Sequence, residues 1–291
     1  MFMMLFILLT GADSPAVFIP TPVVMVHKLI ADNVVLRYPW CDGGNLLYGV
    51  ERVGNDNYDY LMTFDKKYYK LCYNIKFKIP EWVAYYVSGS DLKAKNTKRK
   101  NSFRSDPDIP VEFRSEVDDY DKSGYDRGHN APADDFMRSE EAMTSTFLMS
   151  NMSPMLPKIN RGVWKSLEFK IRKRIIACKK GWVITGNIVE QDYIPVKIDP
   201  GSDLVYRVSY KRGCHWVGDN FVYIPKYLYK VVLFDSSGIM SCWAYLIPNT
   251  PNPGKLENYK VSVDFIEKIT GYDFFYLLPD SIEDRIEKWQ R

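Results

Sequence analysis

Apolar residues along this chain follow two spacings, one typical of strands and one typical of helices. Short runs rich in Val, Ile, Leu and aromatic residues indicate strands; these runs are 67–76, 82–88, 182–188, 204–210, 228–234 and 240–247. Pro80 lies in the break between the first two runs, which we interpret as a strand pair. Because the strand runs are mixed with a few helical segments, the pattern predicts an α+β fold.

Helical spacing is clearest between 160 and 180. Four apolar residues recur there at every fourth position and predict a buried helix face: Val163, Leu167, Ile171 and Ile175. Asn160 is placed to open this helix. Ser139, with two glutamates behind it, predicts an earlier helix start, because a hydroxyl cap and early carboxylates satisfy free N–H groups. The segments 261–270 and 281–289 predict two closing helices.

The polar segment 89–124 lacks a clear periodicity and predicts a long surface loop. It contains a basic cluster that consists of Lys93, Lys95, Lys98, Arg99, Lys100 and Arg104. We interpret this cluster as a solvated loop, with contact to nucleic acid as the alternative. The net charge of +3 for the whole chain is only mildly basic and does not by itself identify a partner.

The N-terminus is distinct from the rest of the chain. Its apolar run 1–9 has the length of a signal-peptide core and is too short to cross a bilayer, and small residues follow it. No Lys or Arg precedes the run, so an uncleaved anchor or a buried strand are alternatives. We expect a signal peptide at 1–16, an extension at 17–44 and one domain at 45–291, in a secreted or periplasmic protein without stable membrane insertion.

The composition supplies a full core, because hydrophobic residues make up 46% of the chain. The five cysteines are widely spaced and form no C-x-x-C pair, so they do not support a zinc ribbon. Their odd number leaves at least one cysteine unpaired within a monomer, and the sequence does not assign any disulfide.

Histidine is scarce in this chain, and its side chain is suited to proton transfer near neutral pH. Of the three histidines, His129 has neighbours that suit catalysis. Arg127, two residues earlier, projects to the same side of an extended segment. Gly128 between them allows a phosphate or another chain to approach the backbone closely. A base beside a guanidinium suits a phosphodiester, because arginine holds phosphate oxygens in a bidentate manner. His27 and His215 lack such neighbours, and we interpret both as structural.

Three ordered segments resemble the ββα-metal (His-Me finger) family of DNA/RNA non-specific endonucleases, in particular its endonuclease G-like members. They read YDRGHNAPA at 125–133, LMSNMSPM at 148–155 and NRGVWKSLE at 160–168. The resemblance covers roughly 45–275 and implies a central, mainly antiparallel sheet flanked by helices. It also implies cleavage of DNA and RNA without sequence preference, leaving 5′-phosphate ends. Relatives are often dimers, so a homodimer stays open.

The same resemblance implies a role for each matching residue. His129 matches the general base that activates water, and Asn160 matches the protein ligand of a catalytic Mg²⁺, with Mn²⁺ as an alternative. Glu168 matches the acid that holds a water beside the metal. Further matches are the phosphate-facing Arg127 and Arg172, Lys78 in place of a family arginine, and the supporting residues Asp126 and Asn151.

Helical geometry allows these roles but does not require them. Asn160 and Glu168 would lie about 12 Å apart along a helix, too far to share one ion as direct ligands but near enough for a ligand and an acid acting through water. Singly, Asn160 suits a helix cap, and Glu168 with Arg172 suits a surface pair. For the whole chain, the alternatives are a catalytically inactive nuclease-fold binding module and a phosphodiesterase acting on small nucleotides. The joint presence of His129, Asn160 and Glu168 favours an active nuclease.

Overall fold

A seven-stranded antiparallel sheet forms the centre of the structure, a computed structural model that describes residues 50–52, 60–189, 193–196, 205–208 and 216–288. The predicted signal peptide and extension lie outside the described residues, as do His27 and His215. The strands are β1 (Val50–Arg52), β2 (Leu61–Asp65), β3 (Lys70–Asn74), β4 (Ile79–Ser88), β5 (Asp126–His129), β6 (Met152–Met155), β7 (Lys180–Ile188), β8 (Tyr193–Val196), β9 (Val205–Val208), β10 (Trp216–Val217), β11 (Val222–Tyr223), β12 (Tyr227–Ser236), β13 (Ile239–Pro248), β14 (Lys260–Val261) and β15 (Tyr272–Phe274).

The central sheet has the strand order β14-β13-β12-β7-β4-β3-β2, and its neighbouring strands all pair in antiparallel register. Two-stranded pairs form from β1 and β15, β5 and β6, β8 and β9, and β10 and β11. The helices are α1 (Gly89–Lys93), α2 (Glu140–Ser145), α3 (Lys165–Cys178), α4 (Val263–Thr270) and α5 (Asp280–Glu287). Short 3-10 turns lie at Val111–Phe113, Asp118–Tyr120, Ala133–Asp135, Met149–Asn151 and Leu256–Tyr259, and a π-helical turn at Ile159–Trp164 precedes α3.

The two faces of the sheet have different helices packed on them. Successive side chains of a strand point to opposite faces, so the odd and even positions of β12 separate. Val231 and Leu233 belong to a buried cluster with Ile266 of α4 and Ile286 of α5. On the other face, Phe234 lies beside the guanidinium of Arg174 from α3, with 5.8 Å between the guanidinium carbon and the ring centroid. Helix α3 therefore covers one face, and α4 and α5 cover the other.

Most predicted elements are confirmed. Helix α2 begins where expected, since the Ser139 hydroxyl accepts a hydrogen bond from the Ala142 N–H at 3.1 Å. The predicted apolar stripe of α3 is buried throughout: Val163, Leu167, Ile171 and Ile175. The expected break at Pro80 is wrong, because β4 begins at Ile79 and Pro80 pairs with Tyr73 beside a register shift. A proline is tolerated there because such an irregularity does not require its missing N–H.

The segment 89–124 is more than a surface loop. Ile109, Phe113 and Tyr120 are buried, and the buried carboxylate of Asp106 accepts a hydrogen bond from Lys66 at 2.8 Å. Scattered apolar residues without a period produce no helix or strand signal, which explains why the sequence pattern missed this packing. Among the described helices none is long and apolar enough to cross a membrane.

Candidate active site

A short antiparallel pair, β5 against β6, carries the central histidine. His129 ends β5 opposite Met152, and Gly128 lies opposite Ser153. A Cβ atom on Gly128 would lie 2.3 Å from the sulfur of the buried Met155 side chain. Gly128 is therefore closely approached by a neighbouring strand, and a larger residue there would require the Met155 side chain to move.

The imidazole of His129 lies among aromatic rings. The ring of Phe147 meets it edge-on, with 4.9 Å between centroids, and the ring of Phe103 lies at 5.7 Å. His129 is only 8% exposed, and its Nε2 atom has no hydrogen-bond partner among the described residues. Burial, and then the charge of Arg99, lower the pKa of His129 to about 3, so the imidazole is neutral at neutral pH. Nε2 is one of several buried polar atoms without a hydrogen-bond partner among the described residues, and it is therefore available to accept a proton.

Arg127 lies on the same side of β5 as His129, as predicted, because both contact Phe103. Its guanidinium has partners within the protein. Nε and Nη2 donate to the carbonyl of Val117 at 3.2 and 2.6 Å, and Nη2 also donates to Asp121 at 2.7 Å. Among the hydrogen bonds of the described residues, none uses Nη1. Arg127 is thus held in place by the segment that precedes β5, while Nη1 is not engaged by these contacts.

Asn160 is joined to the beginning of the same strand. Its Nδ2 group donates to Oδ2 of Asp126 at 3.0 Å, and the neighbouring Arg161 donates to both oxygens of that carboxylate at 2.8 and 2.5 Å. The helix-cap interpretation of Asn160 is wrong, because the residue lies inside the π-helical turn before α3. With Nδ2 engaged, the amide oxygen is the atom that remains to bind a ligand, and no described residue donates to it.

The electrostatic environment of Asp126 keeps its carboxylate ionised. Burial raises its pKa, but the hydrogen bonds from Arg161 and Asn160 and the charge of Arg161 outweigh burial and lower the pKa below its ordinary value. Asp126 therefore remains ionised and accepts from both neighbours. This arrangement fixes the orientation of the Asn160 amide.

Glu168 faces a network of charges between α3 and the sheet. Burial raises its pKa, while the charges of Lys230 and Arg172 act in the opposite direction. Arg172 donates to Asp135 at 3.0 Å and lies 3.9 Å from Asp134, so the surface-pair interpretation of Glu168 and Arg172 is wrong. Asp135 also accepts from the hydroxyl of Tyr85 at 2.6 Å.

Lys230 is the charged residue that the sequence analysis missed. It is 1% exposed, its ammonium donates to the hydroxyl of Thr185 and to the carbonyl of Asn130, and it lies 4.8 Å from the ring centroid of Trp164. Burial lowers its pKa, and the charge of Glu168 raises it. A single lysine within the apolar strand β12 is the signal that would have found it, since an internal charge in a central strand needs partners.

The remaining predicted residues lie around this core. Lys78 donates to the carbonyl of Glu112 at 2.7 Å. The amide of Asn151 is buried and uses both ends within the protein, donating to Ala131 and Thr146 and accepting from the Ala131 N–H. Asn151 thus fixes the connection that follows His129.

Part of the basic cluster borders His129. The guanidinium carbon of Arg99 lies 5.4 Å from the ring centroid of Phe147, and its charge acts on the pKa of His129. Arg104 donates to the carbonyl of Thr144 at 2.8 Å. The cluster is therefore not a detached loop, and one of its cationic side chains, Arg99, lies near the candidate base.

Comparisons with known proteins identify the family of the chain. A sequence model of the DNA/RNA non-specific endonucleases matches residues 49–281. The chain belongs to this family. It is 34% identical to a mitochondrial nuclease of Saccharomyces cerevisiae over 72% of this chain, and 34% identical to the mitochondrial nuclease EXOG of Danio rerio over 70% of this chain. It covers only 64% and 58% of those two relatives.

Two further relatives are matched over a larger share of their own length. Nuclease C1 of Cunninghamella echinulata is 33% identical over 72% of this chain and 81% of the relative. A chain in the crystal structure of an EndoG/EndoGI complex superposes with a TM-score of 0.65 at 29% identity, over 81% of this chain and 91% of that one. The expected fold is confirmed as α+β with a central antiparallel sheet flanked by helices, in the ββα-metal class.

Proposed function

We propose that this chain is a metal-dependent endonuclease that hydrolyses phosphodiester bonds of DNA and RNA without sequence preference. The observation that carries the proposal is the unpartnered Nε2 of His129, at one end of a strand whose other end orients Asn160 through Asp126. One short strand thereby carries the proton acceptor and, through Asp126, orients the amide oxygen of Asn160. Family membership and the nuclease names of the relatives support the same reaction class.

His129 acts as the general base in this proposal. A neutral imidazole accepts a proton from water, and a base of this kind contributes about 10²–10⁴ in rate. A pKa of about 3 describes the ring without substrate. A phosphate anion that binds next to the imidazole favours the protonated form and raises its pKa, which makes His129 a stronger base when substrate is present.

Asn160 holds the metal in this proposal, and its surroundings fit that role. The amide oxygen is a hard donor without a formal charge, which suits Mg²⁺ or Mn²⁺ bound partly by water and phosphate. When bound, the ion stabilises negative charge on the phosphate and the departing 3′ oxygen, which accounts for 5′-phosphate products. Asp126 keeps the amide turned so that its oxygen is available.

Glu168, Arg127 and Arg172 complete the proposed site. The raised pKa of Glu168 allows this acid to bind a water and to exchange a proton near neutral pH. Nη1 of Arg127 contacts a phosphate oxygen, and the charge of Arg172 favours the ionised form of Glu168, as that of Lys230 does. Cationic side chains of the basic cluster attract the polymer backbone, which favours a nucleic acid over a small nucleotide as substrate.

A direct experiment incubates the purified chain with plasmid DNA and, separately, with a long RNA, with Mg²⁺ and with EDTA. The proposal requires internal cleavage of both polymers in Mg²⁺ and none in EDTA. A matched preparation carrying His129→Ala excludes a contaminating nuclease. Binding of either polymer without cleavage in Mg²⁺ and in Mn²⁺ would establish the inactive binding module, and cleavage of dinucleotides alone would establish the small-nucleotide phosphodiesterase.

We also propose export to the periplasm or the medium through a signal peptide at 1–16, and a nuclease domain at 45–291 that associates as a homodimer. The sequence of the secreted protein's N-terminus tests the first point. Light scattering on the purified chain tests the second, and a monomer mass at working concentrations would contradict it.

A further inference from the structure

Three carboxylates converge beneath the helices that cover the sheet face opposite α3. Asp264 and Glu267 belong to α4, and Glu287 is the last residue of α5. One oxygen from each lies within 4.8 Å of the others. We call these three residues the carboxylate cluster. They play no part in the reaction proposed above, which uses α3 and the β5–β6 pair.

Glu287 makes this cluster different from exposed acidic residues. It is only 5% exposed, and its Oε1 atom has no hydrogen-bond partner among the described residues. Glu283, one turn earlier on α5, also has a buried Oε1 without a partner. A buried carboxylate without a partner is strongly unfavourable, so the group needs either a proton or a cation.

Within the described part of the chain, no hydrogen bond or ion pair brings a positive side chain to Oε1 of Glu287. Burial, and then the carboxylates of Glu267, Glu283 and Asp264, raise the pKa of Glu287 to about 9. The nearby ammonium of Lys288 lies 3.7 Å from Asp284 instead. Glu287 also lies at the C-terminal end of its helix, where the helix dipole disfavours a negative charge. Every electrostatic influence here favours a bound cation.

The number and type of the ligands indicate the class of that cation. Ca²⁺ binds six to eight oxygens in flexible geometry and accepts several carboxylates, whereas Mg²⁺ usually keeps several waters and binds one or two carboxylates. We infer that Asp264, Glu267 and Glu287 bind one divalent cation of the calcium type, which ties α4 to the end of α5.

The surroundings are suited to an oxygen-bound ion. Oε1 of Glu267 accepts the N–H of Phe274 at 2.8 Å, which orients this carboxylate while its other oxygen remains for the cation. Asp264 is exposed, so a cation from the solvent would reach the carboxylate cluster from the side of this residue. The thiol of Cys242 on β13 is near the cluster, but burial and the carboxylate of Glu287 raise its pKa well above the ordinary value, so the thiol stays protonated. A hard cation is therefore favoured over zinc.

The test uses the full chain carrying Asn160→Ala, so that the candidate active site contributes least to metal binding. Calorimetric titration with Ca²⁺ should show one ion per chain. Ca²⁺ at about 100 times its Kd should raise the melting temperature by about 5–10 °C. Adding Glu287→Gln to this parent should abolish both signals. Adding Asp284→Asn, which removes an exposed carboxylate from the same helix, should leave both unchanged.

The Glu287→Gln variant also shows whether a lost Ca²⁺ response results from removal of a metal-binding side chain or from unfolding of the chain. Without divalent cations and at mildly alkaline pH, this variant should melt at a higher temperature than its parent, because a neutral amide replaces a buried carboxyl that has no hydrogen-bond partner among the described residues. The inference is overturned if the parent shows no Ca²⁺ response, which means that the carboxyls hold protons instead. It is equally overturned if the Glu287→Gln variant responds to Ca²⁺ as its parent does.

Discussion

Asp126 and Asn160 are 34 residues apart in the chain, and a 3.0 Å hydrogen bond joins Nδ2 of the amide to Oδ2 of the carboxylate. This contact connects the strand that ends at His129 to the turn that precedes α3. It also decides which end of the amide remains available. Asp126 is therefore a positioning residue in this account, acting on the metal through Asn160.

Asp126→Ala should weaken Mg²⁺ binding more than it weakens the fold. Loss of a residue that orients a metal ligand reduces metal affinity by about 10- to 100-fold, so the Mg²⁺ concentration for half-maximal cleavage should rise by that factor. Circular dichroism should show a folded chain. The control is Glu141→Ala, which removes an exposed ion pair with Lys67. An unchanged Mg²⁺ titration for Asp126→Ala would contradict the assigned role.

Arg99→Gln should move the acid limb of the pH–rate profile to higher pH. The charge of Arg99 lowers the pKa of His129, so its removal raises that pKa and leaves the base protonated over a wider acidic range. The measurement is kcat/KM against pH, which reports the free enzyme. Lys98→Gln removes a charge from the same basic cluster and should leave the limb in place. Identical limbs for Arg99→Gln and the wild type would disprove the electrostatic connection.

Lys230→Met should shift the pH dependence through Glu168. The ammonium of Lys230 lowers the pKa of Glu168, so without it the acid stays protonated to higher pH and activity near neutral pH falls. Thr185→Val is the matched control, because it removes the hydroxyl that Lys230 binds while it keeps the charge. If both variants show the same profile, the role of Lys230 is structural support rather than electrostatic control of Glu168.

Gly128→Ala should destabilise the β5–β6 pair. The added Cβ lies 2.3 Å from the Met155 sulfur, and overpacking of this kind costs about 1–3 kcal/mol in unfolding free energy. Urea denaturation measures the loss. In a chain that carries Met155→Ala, which removes the atoms that the new Cβ would meet, Gly128→Ala should cost less than it does in the wild type. An equal cost in both backgrounds would refute the steric explanation.

The sequence predicted those parts of the molecule that depend on local pattern. The apolar runs of β12 and β13, the Ser139 cap and the α3 stripe each need only neighbouring residues, and each is confirmed. Contacts between distant segments were not predictable in the same way. Arg99 reaches His129, and Lys230 reaches Glu168, only because the tertiary fold brings separate segments together.

The π-helical turn is a second place where the local sequence pattern did not predict the structure. Asn160 reads as a helix cap because its neighbours begin an apolar period, but its amide is engaged by Asp126, which no local pattern indicates. The segment 89–124 was judged by its polar majority, whereas its few apolar residues are buried. In both places, tertiary packing decides between two locally acceptable structures.

The central claim is that His129 is the base that activates water. The most direct measurement compares His129→Ala with the wild type under saturating Mg²⁺, on the same DNA and RNA substrates, after equal folding has been verified by circular dichroism. The account predicts that cleavage of both polymers falls by about 10²–10⁴, with substrate binding retained. Cleavage by His129→Ala at the wild-type rate, with the same dependence on Mg²⁺, would contradict it.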